Sequence, residues 1–124
     1  MKLYQCKKCK KIVELILPSR CPTMCCGEAM EEMTAGSVDA ALEKHVPSVT
    51  VEGNKVTVTV GSVEHPMLAE HSILWIALET SQGIQRKALS PGNAPTAVFA
   101  LADGETPIAA LEYCNLHGLW KKEI

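Results

Sequence analysis

Short apolar runs separated by polar and turn residues fill the last two thirds of the chain. The stretch VTVEGNKVTVTVG (49–61) has two β-branched runs on either side of Glu-Gly-Asn, which is typical of a β-hairpin. Further apolar runs follow at nearly regular spacing: SILWIALET (72–80), GIQRKALS (83–90), TAVFALAD (96–103) and TPIAALEY (106–113). This pattern predicts six or seven short strands that form an antiparallel sandwich.

One segment of this region fits two periodicities. The stretch MLAEHSILWIALE (67–79) also has the spacing of an amphipathic helix. The strand-like runs around it favour a strand, so we expect an all-β architecture, with a helix at this place as the alternative.

Cysteine and histidine are unevenly distributed and divide the chain. Five of the six cysteines lie within the first 26 residues, whereas all four histidines come after residue 38. The stretch TAGSVDAALEKHVPSVTV (34–51) contains small residues, a short helix-compatible turn and Pro47, which is typical of a linker entering a second unit. We therefore predict a small cysteine-rich domain at 1–36 and a larger domain at 37–124.

The composition restricts the classes of function. A chain of 124 residues can bury roughly two thirds of its unfolded surface, enough for one main core and a small satellite unit. The formal net charge of −2 argues against a nucleic-acid partner held by phosphate contacts. No run of about 18 apolar residues indicates a membrane span, and the start MKLYQCKKCKK does not fit a signal peptide. We expect a soluble cytoplasmic protein whose cysteines bind metal rather than form disulfides.

The cysteines of the first part have the spacing of a metal site. Cys6 and Cys9 form a CxxC knuckle, in which two thiolates can point at one ion. The stretch CPTMCCGEAM (21–30) supplies a second pair. The adjacent Cys25 and Cys26 cannot form a knuckle of the same shape, so we expect a distorted tetrahedron. Tetrathiolate sites select zinc or iron, and the spacing alone does not decide between them.

The second part carries four histidines and one thiol, namely His45, His65, His71, Cys114 and His117. Each lies near a proline or glycine, or where a strand pattern begins or ends. Loops gathered on one side of a rigid sandwich commonly form a site. Five nitrogen and sulfur donors exceed the usual four ligands of zinc and suit iron with one open position, which indicates redox chemistry.

Cys114 and His117 could instead form a nucleophile and base pair. A cysteine hydrolase also needs a residue that orients the base and an oxyanion pocket. Asn115 is the only candidate nearby, and a residue adjacent to the cysteine is badly placed for that role. This alternative is the weaker one.

Six stretches occur in an order that closely resembles the desulfoferrodoxin family, the two-domain superoxide reductases of anaerobic microbes. The resemblance covers nearly the whole chain, and the last three stretches together are highly specific. They are CKKC (6–9), CCGEAM (25–30), EKHVP (43–47), VEHPMLAEH (63–71), PGNAPTAVF (91–99) and EYCNLHGLW (112–120).

The resemblance implies a fold and an iron ion for each domain. The first domain would be a small metal-knuckle domain similar to desulforedoxin and rubredoxin, with a tetrathiolate iron centre. The second would be an immunoglobulin-like antiparallel β-sandwich, whose iron has four equatorial imidazoles and an axial thiolate. The implied ligands are Cys6, Cys9, Cys25 and Cys26 in the first domain, and His45, His65, His71, His117 and Cys114 in the second.

The resemblance also implies the reaction, in which superoxide takes up one electron and two protons and becomes hydrogen peroxide. Lys44 resembles the family's cationic residue near the open position, and Glu43 the glutamate that closes on the ferric ion after turnover. From the sequence alone, both would be ordinary solvated residues. The family further implies a rubredoxin-like electron donor and a homodimer.

Two departures from the family pattern remain. Lys10 stands where the family usually has glycine directly after CxxC, and Cys21 is an additional cysteine that either replaces Cys25 as a ligand or takes no part. The competing functions are a non-enzymatic metal-binding regulatory module and a plain one-electron carrier.

Overall fold

A computed structural model describes residues 1–124, which are almost entirely β-structure and turns. The chain forms two compact units, Met1–Thr34 and Ala35–Ile124. No helix in the protein has the length and apolar character needed to cross a membrane.

The first unit is built from five very short strands. They are β1 (Leu3–Gln5), β2 (Ile12–Glu14), β3 (Met24–Cys25), β4 (Glu28–Ala29) and β5 (Glu31–Glu32). Strands β2, β1 and β5 form an antiparallel sheet, and β3 pairs with β4. Its only buried apolar side chains are Leu3, Cys6 and Met30. So small a core cannot stabilise the unit alone, and a metal clip is the usual supplement.

The second unit is an antiparallel sandwich of seven strands and one short helix. Its elements are α1 (Leu42–His45), β6 (Pro47–Glu52), β7 (Lys55–Val60), β8 (Ile73–Thr80), β9 (Gly83–Ala88), β10 (Thr96–Ala100), β11 (Pro107–Cys114) and β12 (Gly118–Glu123). One sheet has the order β10-β7-β6, and the other has the order β12-β11-β8-β9.

The two sheets bury their facing sides against each other. Every second residue of β7, namely Val56, Val58 and Val60, is fully buried, as the period of two of a strand requires. These side chains join one core with Phe99 of β10 and Ile76 of β8. The predicted all-β, immunoglobulin-like sandwich is confirmed.

The strand predictions agree with the structure at the level of elements. The hairpin predicted at 49–61 is β6 and β7, with Val49 opposite Val58. The segment 67–79, which also fitted a helix, is irregular up to Ser72 and a strand from Ile73 onward. Strand β12 has no alternating apolar run, and the sequence pattern did not locate it.

The strand register places several loops at one end of the sandwich. Pro47 at the start of β6 lies opposite Val60 at the end of β7. At the end of β11, Cys114 lies opposite Ile73 at the start of β8 and Gly118 at the start of β12. Helix α1, segment 61–72 and the turn 115–117 therefore meet at this end.

Candidate metal centres

Four imidazoles and one thiol converge at this end of the sandwich. His45 is the last residue of α1, and Cys114 is the last residue of β11. His65 and His71 belong to segment 61–72, and His117 to the turn after β11. One potential ligand atom from each residue lies within 4.8 Å of all the others. The site therefore joins parts of the chain that are up to 72 positions apart.

The four rings form a nearly square arrangement. Neighbouring ring centroids are 4.6 to 5.0 Å apart in the order His45, His65, His71, His117 and back to His45. The diagonal from His45 to His71 is 6.5 Å, close to the value that a square of this side requires. Neighbouring ring planes are inclined by 63° to 81°. Four imidazoles around one point suit the equatorial plane of a metal ion.

Hydrogen bonds indicate which ring atoms are available to a metal. The Nδ1 atom of His65 is 2.7 Å from the Pro66 carbonyl oxygen and donates to it, which leaves Nε2 as the free donor atom. This Nε2 atom is 3.5 Å from Cys114 Sγ. The His117 atom nearest to the same sulfur is Nδ1, at 3.8 Å. The buried Nε2 of His71 has no hydrogen-bond partner, as expected for an atom that a metal ion would satisfy.

Burial favours the neutral form of three of the candidate imidazoles, the form in which histidine binds metals. Desolvation lowers the pKa of His45 to about 4, with help from the neighbouring rings. Desolvation is also the main cause that lowers the pKa values of His65 and His71. It raises the pKa of the Cys114 thiol, although the backbone N–H groups of Leu116 and His117 oppose the shift. A cation at the centre of the cluster would favour the Cys114 thiolate and offset the desolvation that raises its pKa.

The first unit holds a second cluster, formed by the knuckle Cys6 and Cys9 and by Cys25 and Cys26. The four sulfurs lie within 4.8 Å of one another. Cys25 Sγ is 3.6 Å from Cys9 Sγ and 3.9 Å from Cys26 Sγ. A tetrahedron with metal–sulfur bonds of about 2.3 Å has edges of about 3.8 Å, so these separations fit one enclosed ion. All six cysteines of the chain are free thiols.

The knuckle already favours one thiolate. The backbone N–H of Cys9 is 3.5 Å from Cys6 Sγ, and together with a second N–H from Lys8 it lowers the pKa of Cys6 to about 6. The pKa of Cys26 is raised to about 12, mainly by its interaction with Cys9. Without a cation the cluster therefore resists full deprotonation, and metal binding must release protons.

Comparisons with known proteins agree with both clusters. A family model described as Desulfoferrodoxin matches residues 37–123. The desulfoferrodoxin of Nitratidesulfovibrio vulgaris is 45% identical over 121 residues, covering 98% of this chain and 94% of its own. A desulfoferrodoxin homologue of Archaeoglobus fulgidus is 43% identical, covering 98% and 95%. The crystal structure of the superoxide reductase from Treponema pallidum superposes with a TM-score of 0.82 at 40% identity, covering 98% of each chain.

The chain belongs to the desulfoferrodoxin family. Two residues that the resemblance singled out, Glu43 and Lys44, are exposed on α1 directly before His45. The positive charge of Lys44 contributes to lowering the pKa values of His45, His65 and His71, so it acts on the histidine cluster. Glu43 contacts segment 61–72 through its carbonyl oxygen, which accepts hydrogen bonds from Val63 N–H and Ser62 Oγ.

The structure also describes the two departures from the desulfoferrodoxin pattern. Lys10 has φ 66, so this position keeps the left-handed conformation that glycine adopts without cost. Cys21 is exposed and is not part of the sulfur cluster, whereas Cys25 is. The backbone N–H of Cys21 donates to Ser19 Oγ at 3.3 Å.

The structure does not support Cys114 and His117 as a nucleophile and base pair, because the third residue such a pair needs is not in place. The side chain of Asn115 bonds to the backbone at Glu70 and Ser72, not to His117. The ring of His117 is instead positioned from its backbone, because Trp120 Nε1–H donates to the His117 carbonyl oxygen at 3.0 Å. The Trp120 ring also stacks on His45, with centroids 5.1 Å apart and planes inclined by 17°.

One residue beside the histidine cluster was missed in the sequence. Glu112 is completely buried, its Oε1 is 3.5 Å from His45 Nδ1, and neither carboxyl oxygen makes a hydrogen bond. Desolvation raises its pKa to about 9. Glu112 shares one face of β11 with Ala110 and Cys114, which both belong to the core, and only this packing shows that the glutamate is buried.

Proposed function

We propose that this chain is a superoxide reductase, which converts superoxide to hydrogen peroxide with one electron and two protons. The observation that carries the proposal is the convergence of four imidazoles and one thiol within 4.8 Å. The family membership and the similarity to the superoxide reductase of Treponema pallidum support it. Iron bound by His45, His65, His71, His117 and Cys114 would supply the electron.

Iron held by these five donors would have room for one further, small ligand. Cys114 is buried, whereas His71 and His117 are half-buried, so the cluster is accessible from the side of these two rings. Superoxide is a small anion, so a narrow opening on this side is enough for it to reach the cluster. A thiolate donor is electron-rich and favours electron transfer to the bound ligand.

Two exposed residues of α1 complete the proposed site. Lys44 attracts the superoxide anion, because its charge already acts on three of the histidines. Glu43 is the carboxylate proposed to approach the open position after turnover. The two protons that peroxide needs come from solvent at this exposed edge.

We also propose that residues 1–36 form a desulforedoxin-like domain, which precedes the catalytic domain at 37–124. Its four cysteines, Cys6, Cys9, Cys25 and Cys26, would hold a second iron ion. The separations between their sulfurs fit such an ion. Cys21 takes no part in this assignment.

The proposal includes a rubredoxin-like or other one-electron donor, a homodimer and a cytoplasmic location. An electron donor is needed because each turnover consumes one electron. A reducing compartment suits the protein because its six cysteines are free thiols and its proposed ligands are thiolates.

Reaction of the reduced protein with superoxide tests the proposal. The iron-loaded, reduced chain is mixed with superoxide in a stopped-flow instrument, and the absorption of the histidine-rich site is followed. We expect rapid oxidation of one iron per superoxide, whereas the zinc-loaded chain should remain unchanged. Oxidation no faster than that of a carrier protein without an open metal position would contradict the proposal.

A further inference from the structure

We propose that Asn115 is a positioning residue, which holds His71 in register with Cys114 and His117. The inference rests on the proposed metal site and concerns how the chain builds it. Asn115 lies between two candidate ligands in sequence and is bonded on both sides of a third.

Three hydrogen bonds join Asn115 to the residues that flank His71. Ser72 N–H donates to Asn115 Oδ1 at 2.9 Å, and Asn115 Nδ2 donates to the Glu70 carbonyl oxygen at 3.0 Å. The backbone N–H of Asn115 donates to the Ser72 carbonyl oxygen at 3.2 Å. The amide therefore binds the chain one residue before and one residue after His71.

Apart from the contacts of its ring with those of His65 and His117, His71 has little else to fix its position. It precedes β8, and its backbone is bonded only within its own turn, to Leu68. Its side chain is half-buried, and its Nε2 atom has no partner in the protein. The other ligand elements are held differently, since Cys114 lies in a paired strand and His45 is stacked on Trp120.

Asparagine is the residue type that this position requires. The bond from Ser72 needs an acceptor and the bond to Glu70 needs a donor, and one short amide supplies both. Aspartate would keep the acceptor but place a negative oxygen against the Glu70 carbonyl. Alanine would remove both side-chain bonds and leave only the backbone bond to Ser72.

Zinc binding to the full chain tests the inference without using the reaction. Zinc affinity is measured by competition with a chelator and followed by the ¹⁵N signals of the histidine rings, which report only the histidine-rich site. For Asn115→Ala we expect roughly tenfold or greater weakening of zinc binding at this site, because outer partners of ligands typically contribute 10- to 100-fold. Asn115→Asp, which retains one of the two side-chain bonds, should lie between Asn115→Ala and the unchanged protein.

The matched control is Asn54→Ala. Asn54 also makes a side-chain bond in a turn, to Asp103 at 3.1 Å, but it lies at the opposite ends of β6 and β7 from the histidines. We expect zinc affinity and the His71 ring signal to be unchanged in this control. If both Asn115 variants kept unchanged zinc affinity and His71 signal, or if Asn54→Ala weakened zinc binding equally, the inference would be overturned. If the zinc affinities followed this expectation but the reduced, iron-loaded protein did not react with superoxide, the proposed function would be overturned and this inference would stay supported.

Discussion

At the scale of single residues, Lys44 is the exposed side chain with the most specific expected effect on the reaction. An ammonium about 6 Å from an anion contributes roughly 2 to 3 kcal/mol at an effective dielectric of about 20, and solvent and salt reduce this to about 1 to 2 kcal/mol. Lys44→Ala should retain iron and slow superoxide capture roughly five- to thirtyfold, with a weaker dependence on ionic strength. Stopped-flow kinetics at several salt concentrations measure both quantities.

Lys55→Ala is the matched control for Lys44, because Lys55 is an exposed lysine at the start of β7, away from the histidines. It should leave the capture rate and the salt dependence unchanged. Equal rates for both variants would leave Lys44 as an ordinary solvated lysine.

Because Glu112 is buried, we expect the stability of the metal-free protein to depend on pH. The pKa of Glu112 is about 9 in the folded state, far above its ordinary value of 4.5. Between pH 4.5 and pH 9 the folded chain therefore keeps the carboxyl proton, whereas the unfolded chain has released it. The contribution of Glu112 to the free energy of unfolding is most favourable below pH 4.5 and is lost as the pH rises towards 9. Glu112→Gln cannot ionise, so at pH 8 the metal-free variant should be more stable than the unchanged protein, and the difference should shrink towards pH 5.

Urea unfolding at pH 5 and pH 8 measures this difference. Trp75 and Trp120 are the only tryptophans and both belong to the second unit, so their fluorescence reports its unfolding. Glu52→Gln, at an exposed strand end, is the control and should show no such trend. The histidines with lowered pKa values affect both proteins alike. If the difference in stability between Glu112→Gln and the unchanged protein were the same at pH 5 and pH 8, Glu112 would not be a group that titrates between them.

Sequence reasoning singled out the nine residues that cluster in the structure, but not their surroundings. Cysteine and histidine are rare, and their spacing and position at strand ends made all nine candidates visible. Glu112 was not, because a glutamate in a sequence is ordinarily exposed and only the packing of β11 reveals that it is buried. The left-handed conformation at Lys10 could not be predicted either, since glycine is the residue type that indicates such a position in a sequence.

At the scale of elements, the placement of α1 depends on its contact with the turn after β7. Gly61 has φ +84, and its backbone N–H donates to the Val46 carbonyl oxygen. A Cβ atom at Gly61 would lie 2.8 Å from the Glu43 carbonyl oxygen and 2.9 Å from that of Lys44, and it would also clash with Val63 O. Helix α1, which ends in His45, can lie here only because this residue is glycine.

Gly61→Ala should therefore destabilise the second unit and weaken the histidine site. The left-handed conformation costs about 1 to 2 kcal/mol and the backbone clash about 1 to 3 kcal/mol, so we expect a loss of about 2 to 5 kcal/mol. Gly53→Ala is the control, because Gly53 has φ +60 but open space around its Cβ position. It should lose only the cost of the left-handed conformation, about 1 to 2 kcal/mol, and keep zinc affinity. Equal losses in the two variants would contradict the proposed packing of α1.

The strands were predictable where one face is buried and the period is two. The hairpin of β6 and β7 is such a case, with Val56, Val58 and Val60 inside. Strand β8 was ambiguous because Ile76, Ala77 and Leu78 are all buried, so both faces are covered and no alternation remains. Strand β12 has two buried residues, Leu119 and Trp120, followed by charged ones, too short a run to be recognised.

At the scale of the whole molecule, the two candidate metal centres belong to different units, so losing one should leave the other intact. The four cysteines lie in Met1–Thr34, and the histidine cluster lies in Ala35–Ile124. Cys9→Ser should lose the tetrathiolate absorption while the histidine-rich site keeps its iron and its reaction with superoxide. Iron analysis and absorption spectra measure this, with Cys21→Ser as a control that should keep both centres. Loss of all iron in Cys9→Ser would refute the independence of the centres.

The central claim is that the histidine and cysteine cluster reduces superoxide rather than dismutating it. The most direct measurement is the yield of hydrogen peroxide and dioxygen when limiting superoxide is added to excess reduced, iron-loaded protein. Reduction predicts one hydrogen peroxide per superoxide, one oxidised iron per superoxide and no dioxygen. One hydrogen peroxide and one dioxygen for every two superoxide ions, with the iron still reduced, would contradict the account.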